Sequence, residues 1–239
     1  GGRDSGALYY NSGGIYDLAS DSWTDTNTNN APPGNPVGDG FWIGSEALFW
    51  GSKEASTNKG GRYNPETNSW TMMSTVNAPS TNNDVRSVWS GKYYIVWGGS
   101  SGYLNAGGLY NPSADSWTVM STLNAPSRRN RHYVATNSDK LFIWGGQNQL
   151  GTRLNDGAIY DIANNTWDAL SSTSAPPIAW TGVAGWYHSK FLVWSGLDSA
   201  YCNTGGLFNP ATNTWEPMSQ INAPSIRSSS VSAVIGGKF

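Results

Sequence analysis

The sequence predicts an all-β chain of five four-stranded sheets packed around a common axis, which is the architecture of a β-propeller. Two observations predict it. A tryptophan recurs at separations of 47, 47, 50 and 48 residues, and an aromatic residue and a polar turn precede every copy of it. A unit of two hairpins cannot bury its tryptophan alone, so neighbouring units must stack. The copies are numbered one to five by these residues, which are Trp23, Trp70, Trp117, Trp167 and Trp215.

The third and fourth strands of each copy form a hairpin. An aromatic residue lies seven positions before each tryptophan, at Tyr16, Tyr63, Tyr110, Tyr160 and Phe208. An Asp or Asn lies two positions before it, at Asp21, Asn68, Asp115, Asn165 and Asn213. Pro65, Pro112 and Pro210 begin three of these turns, and proline presets the backbone angle that a turn needs. An Ala-Pro pair after each tryptophan marks the loop to the next copy.

The second strand is an apolar run that ends in tryptophan, at Trp50, Trp97, Trp144 and Trp194, and glycine follows. Such a run predicts a strand that is buried on both faces. After a loop of variable length come an Asn and then a glycine pair, which is Gly-Ala in copy four. Glycine there allows close backbone approach or a positive φ. These tryptophans and the recurring ones are expected in the core.

Together these features resemble the kelch motif, and the resemblance covers the whole chain, residues 1–239, as a single kelch-type β-propeller of five blades. Strands at about 226–239 are expected to join the pair at about 13–26 in a composite closing blade. Three apolar residues equivalent to Ile95, Val96 and Trp97 are absent from that join. A fragment of a longer repeat array stays open as an alternative.

Composition excludes several classes of partner. The net charge is −2 and only 13% of residues are charged, so no electrostatic attraction to nucleic acid or anionic lipid is expected. The sequence contains no apolar run of ~18 residues, so no membrane-spanning helix is predicted. Cys202 is the single cysteine, which excludes an internal disulfide. A surface of Asn, Ser, Thr and Gly suits an extracellular or cell-surface protein.

The predicted ligand-binding surface is the face around the mouth of the central channel, because the copies diverge there while the frame repeats. It combines the segments after Ala-Pro with the loops between second and third strands. The kelch resemblance implies arginines in the mouth, at Arg129 and Arg227. The full set is Asn35, Asp39, Asn82, Asp84, Arg86, Arg129, Arg131, Trp180, Arg227, Tyr9, Tyr10, Tyr103 and Tyr201.

These patterns favour a non-catalytic module that recognises a protein or peptide, with no catalytic residue, metal or cofactor. A lectin-like module that binds glycan through mouth aromatics is an alternative. A kelch-type oxidase or mutarotase is another, and a structural part of a larger assembly is a third. His132 and His188 lie at non-equivalent positions, which disfavours a shared metal site, and no catalytic motif is present.

Overall fold

The computed structural model describes residues 2–5, 8–34, 40–51, 59–80, 85–100, 104–177, 182–197 and 201–226. This part of the chain is all-β and contains no helix. Its strands are β1 (Gly2–Arg3), β2 (Tyr9–Tyr10), β3 (Gly14–Asp17), β4 (Ser22–Asp25), β5 (Phe41–Trp42), β6 (Ala47–Trp50), β7 (Gly60–Asn64), β8 (Ser69–Met72), β9 (Arg86–Trp89), β10 (Tyr94–Trp97), β11 (Gly107–Asn111), β12 (Ser116–Val119), β13 (Tyr133–Thr136), β14 (Lys140–Trp144), β15 (Gly157–Asp161), β16 (Thr166–Ala169), β17 (Val183–Tyr187), β18 (Lys190–Leu197), β19 (Tyr201–Asn209) and β20 (Thr214–Pro217). No helix within these ranges is long and apolar enough to span a bilayer.

Copies two to five each form one antiparallel four-stranded sheet, in which the strands pair in chain order. The predicted hairpin has the same register in each copy, since the recurring tryptophan pairs with the aromatic residue seven positions earlier. Tyr63 lies opposite Trp70 and Phe208 lies opposite Trp215. The four-stranded blades of the sequence prediction are therefore confirmed for these four copies.

Copy one contributes two short antiparallel pairs, β1–β2 and β3–β4. Gly2 pairs with Tyr10. The equivalent pair in copy five is Gly196 and Cys202, so copy one keeps the repeat register. The predicted partners of β3 in the composite closing blade lie outside the described residues from position 227 onward.

The contacts of the chain divide into two compact units, Gly1–Gly102 with Gly107–Val119, and Tyr103–Ala106 with Met120–Phe239. The core of the first contains Trp50, Tyr94, Val96 and Trp117. That of the second contains Phe142, Trp144, Phe191, Phe208 and Trp215. The prediction that the whole chain is a single domain stays a prediction.

The Asp or Asn two positions before each tryptophan adopts a positive φ, between 45° and 55° in all five copies. Asn and Asp tolerate this left-handed conformation better than other non-glycine residues. In the four copies whose strand aromatic is tyrosine, its side-chain oxygen also accepts a hydrogen bond from the hydroxyl, as in Tyr110 to Asp115 (2.7 Å) and Tyr160 to Asn165 (2.7 Å). One residue therefore closes the turn and satisfies a tyrosine hydroxyl.

The residue four positions after the recurring tryptophan of one copy uses its own backbone to bind the recurring tryptophan of the next copy. We call Asn27, Ser74, Ser121 and Ser171 the latch residues. Each carbonyl accepts the next indole Nε1, at 2.7–2.8 Å. Each N–H donates to the Oδ1 of the next turn residue, at 2.6–2.9 Å. Two hydrogen bonds at one latch residue thus recur at four junctions.

Burial agrees with the predicted core for most of the tryptophans, whereas Trp70 and Trp194 are only half-buried and Trp23 is exposed. Trp117, Trp167 and Trp215 are at most 5% exposed. Trp23 is 72% exposed, so the prediction that it lies in the core is wrong. In copies two, three and five the proline of an Ala-Pro pair lies beside the glycine on which the indole packs, whereas among the described residues the atoms nearest a Cβ on Gly14 belong to Trp23 and Thr24.

The second glycine of the pair packs flat against the tryptophan of its own copy and the proline of the preceding Ala-Pro pair. A Cβ added to Gly108 would lie 2.9 Å from both Pro79 and Trp117. The predicted close backbone approach is therefore confirmed at this position.

Candidate functional site

The candidate ligand-binding residues are divided by what the structure describes. Asn35, Asp39, Asn82, Asp84, Tyr103, Trp180 and Arg227 lie outside the described residues, and so does the side chain of Tyr201 in β19. Tyr9, Tyr10 and Arg86 belong to the first compact unit, whereas Arg129 and Arg131 belong to the second.

Arg129 is fully buried, and all of its guanidinium donors are engaged. Nε donates to the Ser127 carbonyl at 2.8 Å, and Nη2 donates to the Ser127 hydroxyl at 2.9 Å. Nη1 donates to the carbonyls of Gly145 (3.0 Å) and Asp156 (2.9 Å), and Nη2 forms an ion pair with Asp156 Oδ1 at 2.9 Å. The guanidinium thus joins the segment after Ala-Pro, the end of β14 and the start of β15.

This geometry corrects the expectation that Arg129 contacts ligand in the mouth. Its five N–H groups have partners within its own copy, and none remains for an incoming group. Burial desolvates the cation and lowers the pKa of Arg129, while the Asp156 carboxylate acts in the opposite direction. Arg129 is a positioning residue for the loop between β14 and β15.

That loop is ordered by its own hydrogen bonds. Asn130 and Gln147 exchange backbone hydrogen bonds at 3.0 and 3.1 Å, and Gln147 also bridges to Arg153. The Asn148 side chain accepts the N–H groups of Leu150 and Thr152, both at 3.0 Å. Such Asx turns fix a loop tip locally.

The fixed tip presents an apolar side chain to solvent. Leu150 is 81% exposed, next to the exposed Gln149. Both residues lie in the loops that vary between copies, but the residue types alone do not indicate the rigidity of this loop. Asp156, which completes the support, follows the recurring Asn155 and gives no separate sequence signal.

Arg131 and Arg86 are half-buried and lie in different units. Arg131 has a positive φ of 54° between the buried Asn130 and His132. Arg86 begins β9, opposite Trp97.

The tyrosine pair of copy one forms β2, which pairs antiparallel with β1. Asp4 accepts the Tyr10 hydroxyl at 3.0 Å and the Leu8 N–H at 2.9 Å. Tyr10 is 42% exposed and Tyr9 is half-buried. In copy one, therefore, the exposed ring of Tyr10 lies on a strand that is paired with β1 and hydrogen-bonded to Asp4.

In copy five the second and third strands extend past a bulge between Trp194 and Gly196. The buried Tyr133 hydroxyl donates to the Ser195 carbonyl at 2.5 Å, and burial raises the pKa of Tyr133. Cys202 is half-buried, and its Sγ lies 3.4 Å from the Gly196 carbonyl. The Tyr133 contact holds the extended ends of β18 and β19 against β13, the first strand of copy four.

Within the described ranges, no three His, Cys, Asp or Glu side chains are grouped to hold a metal ion. His132 is buried, whereas His188 is exposed in the turn after β17, with its ring 4.1 Å from that of Tyr187. Ordered loops with exposed apolar and aromatic tips can bind a macromolecular surface.

A family model described as the KLHDC2/KLHL20/DRC7 kelch-repeats domain matches residues 39–239. No curated protein matches the chain.

Proposed function

Because the chain belongs to the kelch-repeats domain family, we propose that it is a binding propeller that recognises a protein or peptide through the loops between second and third strands. The observation that carries the proposal is the Arg129-supported loop of copy four, which holds Leu150 in solvent. An exposed leucine on a fixed loop can be buried against a partner with little loss of loop entropy.

Two further features support a peptide-binding surface. The equivalent extensions of copies one and five are also hydrogen-bonded β-structure, so these loops share a rigid base while their tips differ. Rigid scaffolds with divergent loops are the usual arrangement of binding proteins. Recognition of a glycan, membership in a larger assembly and an extracellular location stay predictions.

The test is a selection of random peptides on the wild-type chain, followed by titration of the selected peptides against two variants. Leu150→Asp places a charge at the proposed contact and should weaken binding at least about tenfold. Leu18→Asp is the matched control, because Leu18 is 88% exposed in the turn between β3 and β4. It should bind like wild type.

Equal affinity of wild type and Leu150→Asp for every selected peptide would remove this loop as the binding surface. Binding to a glycan array that is lost in Tyr10→Ala, with no peptide selected, would favour the lectin-like alternative instead.

A further inference from the structure

A cavity of about 440 Å³ lies between copies four and five, within the second compact unit. Ile159 and Trp186 contribute apolar walls, and Asp139, Asp168 and Lys140 contribute charged groups. The volume falls within the ~300–1,000 Å³ of small-ligand sites. The turn between β13 and β14 borders the cavity, which therefore lies at the end of the copy-four sheet opposite the β14–β15 loop.

The indole of Trp186 forms a supported wall of this cavity. It is half-buried and stacks on Phe142, with ring centroids 4.9 Å apart and planes inclined by 29°. Phe142 stacks in turn on the buried Phe191 at 5.0 Å. An indole face attracts a cation that lies within ~6 Å of its centroid. The wall is thus a fixed aromatic surface of the kind that binds cations.

The charged groups at the cavity are mainly acidic. Asp139 and Asp168 are exposed, and neither forms an ion pair with a described residue. Lys140 is the cation among the charged groups, and its ammonium already pairs with Asp161 at 2.6 Å. Three carboxylates therefore face one ammonium, which favours a cationic ligand.

Copy five shows the same carboxylate position with its charge neutralised. Glu216 is the equivalent of Asp168, one residue after the recurring tryptophan, and Lys190 is the equivalent of Lys140. Lys190 and Glu216 form an ion pair of 2.6 Å. In copy four the lysine pairs with Asp161 instead, so Asp168 lacks the partner that Glu216 has.

Copy two shows that a guanidinium fits the equivalent place. Arg62 is the equivalent of Ile159, since each precedes the strand tyrosine of its copy. Its guanidinium pairs with Glu46 at 2.7 Å and donates to the Pro112 carbonyl of copy three at 2.9 Å. Pro210 is the equivalent of Pro112 and lines the cavity. Copy two thus spans its junction with its own arginine, whereas copy four has an isoleucine and a cavity.

We propose that this cavity binds the guanidinium of an arginine side chain on a partner protein. The guanidinium packs on the Trp186 indole and donates to the carboxylates of Asp139 and Asp168. The Pro210 carbonyl accepts a further N–H, as its equivalent does in copy three. A planar guanidinium suits both an aromatic face and a carboxylate. Exposed residues such as Ala211 border the cavity, so the chain that carries the arginine can lie across its opening.

The probe is the peptide acetyl-Gly-Gly-Arg-Gly-Gly-amide, titrated into the full chain labelled with 5-fluorotryptophan. The fluorine NMR signal of Trp186, assigned by its loss in Trp186→Phe, should shift in a saturable way. The same peptide with citrulline keeps the shape of arginine without its charge. It should bind at least about fivefold more weakly.

Asp168→Asn should weaken binding of the arginine peptide at least about threefold, because it removes one carboxylate of the site. Glu216→Gln is the matched control, since it removes the equivalent but ion-paired charge of copy five, and it should bind like wild type. Ile159→Arg places in copy four the arginine that copy two carries. This variant should fold, as circular dichroism can show, and should bind the peptide at least about tenfold more weakly.

Leu150→Asp should leave arginine binding unchanged, so failure here is distinguishable from failure of the proposed function. No shift of the Trp186 signal, or equal binding of the arginine and citrulline peptides, would overturn the proposal. Wild-type affinity in Asp168→Asn or in folded Ile159→Arg would also overturn it. A Trp186 shift with methyl glucoside and none with the peptide would identify a sugar ring as the occupant and would overturn it too.

Discussion

The indole of Trp117 donates to the backbone carbonyl of Ser74 at 2.8 Å, across 43 residues of sequence. The N–H of the same serine donates to Asp115 Oδ1 at 2.9 Å. Because Trp117 is 5% exposed and Ser74 is half-buried, loss of the indole donor leaves a partly buried carbonyl without this partner.

Trp117→Phe should therefore lower the free energy of unfolding by about 1–3 kcal/mol, from the lost donor and the smaller ring. Urea unfolding followed by circular dichroism measures it. Trp23→Phe is the matched control, since the ring of Trp23 is 72% exposed, and should change stability by less than about 0.5 kcal/mol. Equal losses in the two variants would contradict the role of the latch.

Asp115→Ala should cost more than Asp115→Asn. Alanine removes the acceptor of both Tyr110 and Ser74 and disfavours the φ of 45°, for a loss of about 2–3 kcal/mol. Asparagine keeps an Oδ1 and occupies this position in copies two, four and five. It should therefore unfold within about 0.5 kcal/mol of wild type. A large loss in Asp115→Asn would show that the negative charge, and not the acceptor, is what the turn requires.

Arg129→Ala should destabilise the chain by about 3 kcal/mol, because it leaves the carbonyls of Gly145 and Asp156 without this donor. Arg129→Lys should recover little of this, since one ammonium cannot replace a five-donor guanidinium. Arg128→Ala is the matched control, because Arg128 is the adjacent, exposed arginine. Hydrogen exchange at residues 147–156 should accelerate in Arg129→Ala and stay unchanged in the control. Unchanged exchange in both would show that Arg129 does not order the loop.

The ionised carboxylate of Asp161 should stabilise the folded chain, and this contribution should be lost at acid pH. A hydrogen bond from Lys140 and one from the Asn164 N–H lower the pKa of Asp161 to about 2. An unfolded aspartate titrates near 3.9. A lowered folded pKa stabilises the protein above the unfolded value, and this stabilisation is lost as pH falls from about 4 to about 2.

Asp161→Asn keeps the turn, because Asn64, Asn111 and Asn209 occupy the equivalent positions, and it removes the charge. The stability difference between wild type and this variant should be constant above about pH 5 and should shrink between pH 4 and pH 2. Unfolding midpoints across that range measure it. A difference that does not change with pH would rule out the charge as its origin.

Local patterns in the sequence predict the frame. The Tyr-to-Trp spacing indicates the hairpin, and the run that ends in Trp144 indicates a buried strand, because both depend on near neighbours. The turn Asp or Asn is visible as a turn former. Its second role, as acceptor of Ser121 in the case of Asn165, requires knowledge of which segment packs beside it.

The candidate site is less predictable from the sequence. Arg129 and Arg131 are two residues apart, yet one is buried with all its donors engaged and the other is half-buried with a positive φ. The direction of each side chain depends on how its segment packs against the β14–β15 loop, and the length of the loop at that position differs between copies. The exposure of Trp23 likewise depends on what covers it, which its own repeat does not encode.

Each latch residue contributes only its backbone N–H and carbonyl to these hydrogen bonds. The tryptophan and the turn residue of the next copy contribute their side chains. Any copy that carries the recurring tryptophan and turn residue can therefore follow any other without a matched change in its neighbour. Duplication, deletion or exchange of whole copies would preserve these two hydrogen bonds at each junction, so arrays of this kind can change length by recombination while their loop tips diversify independently.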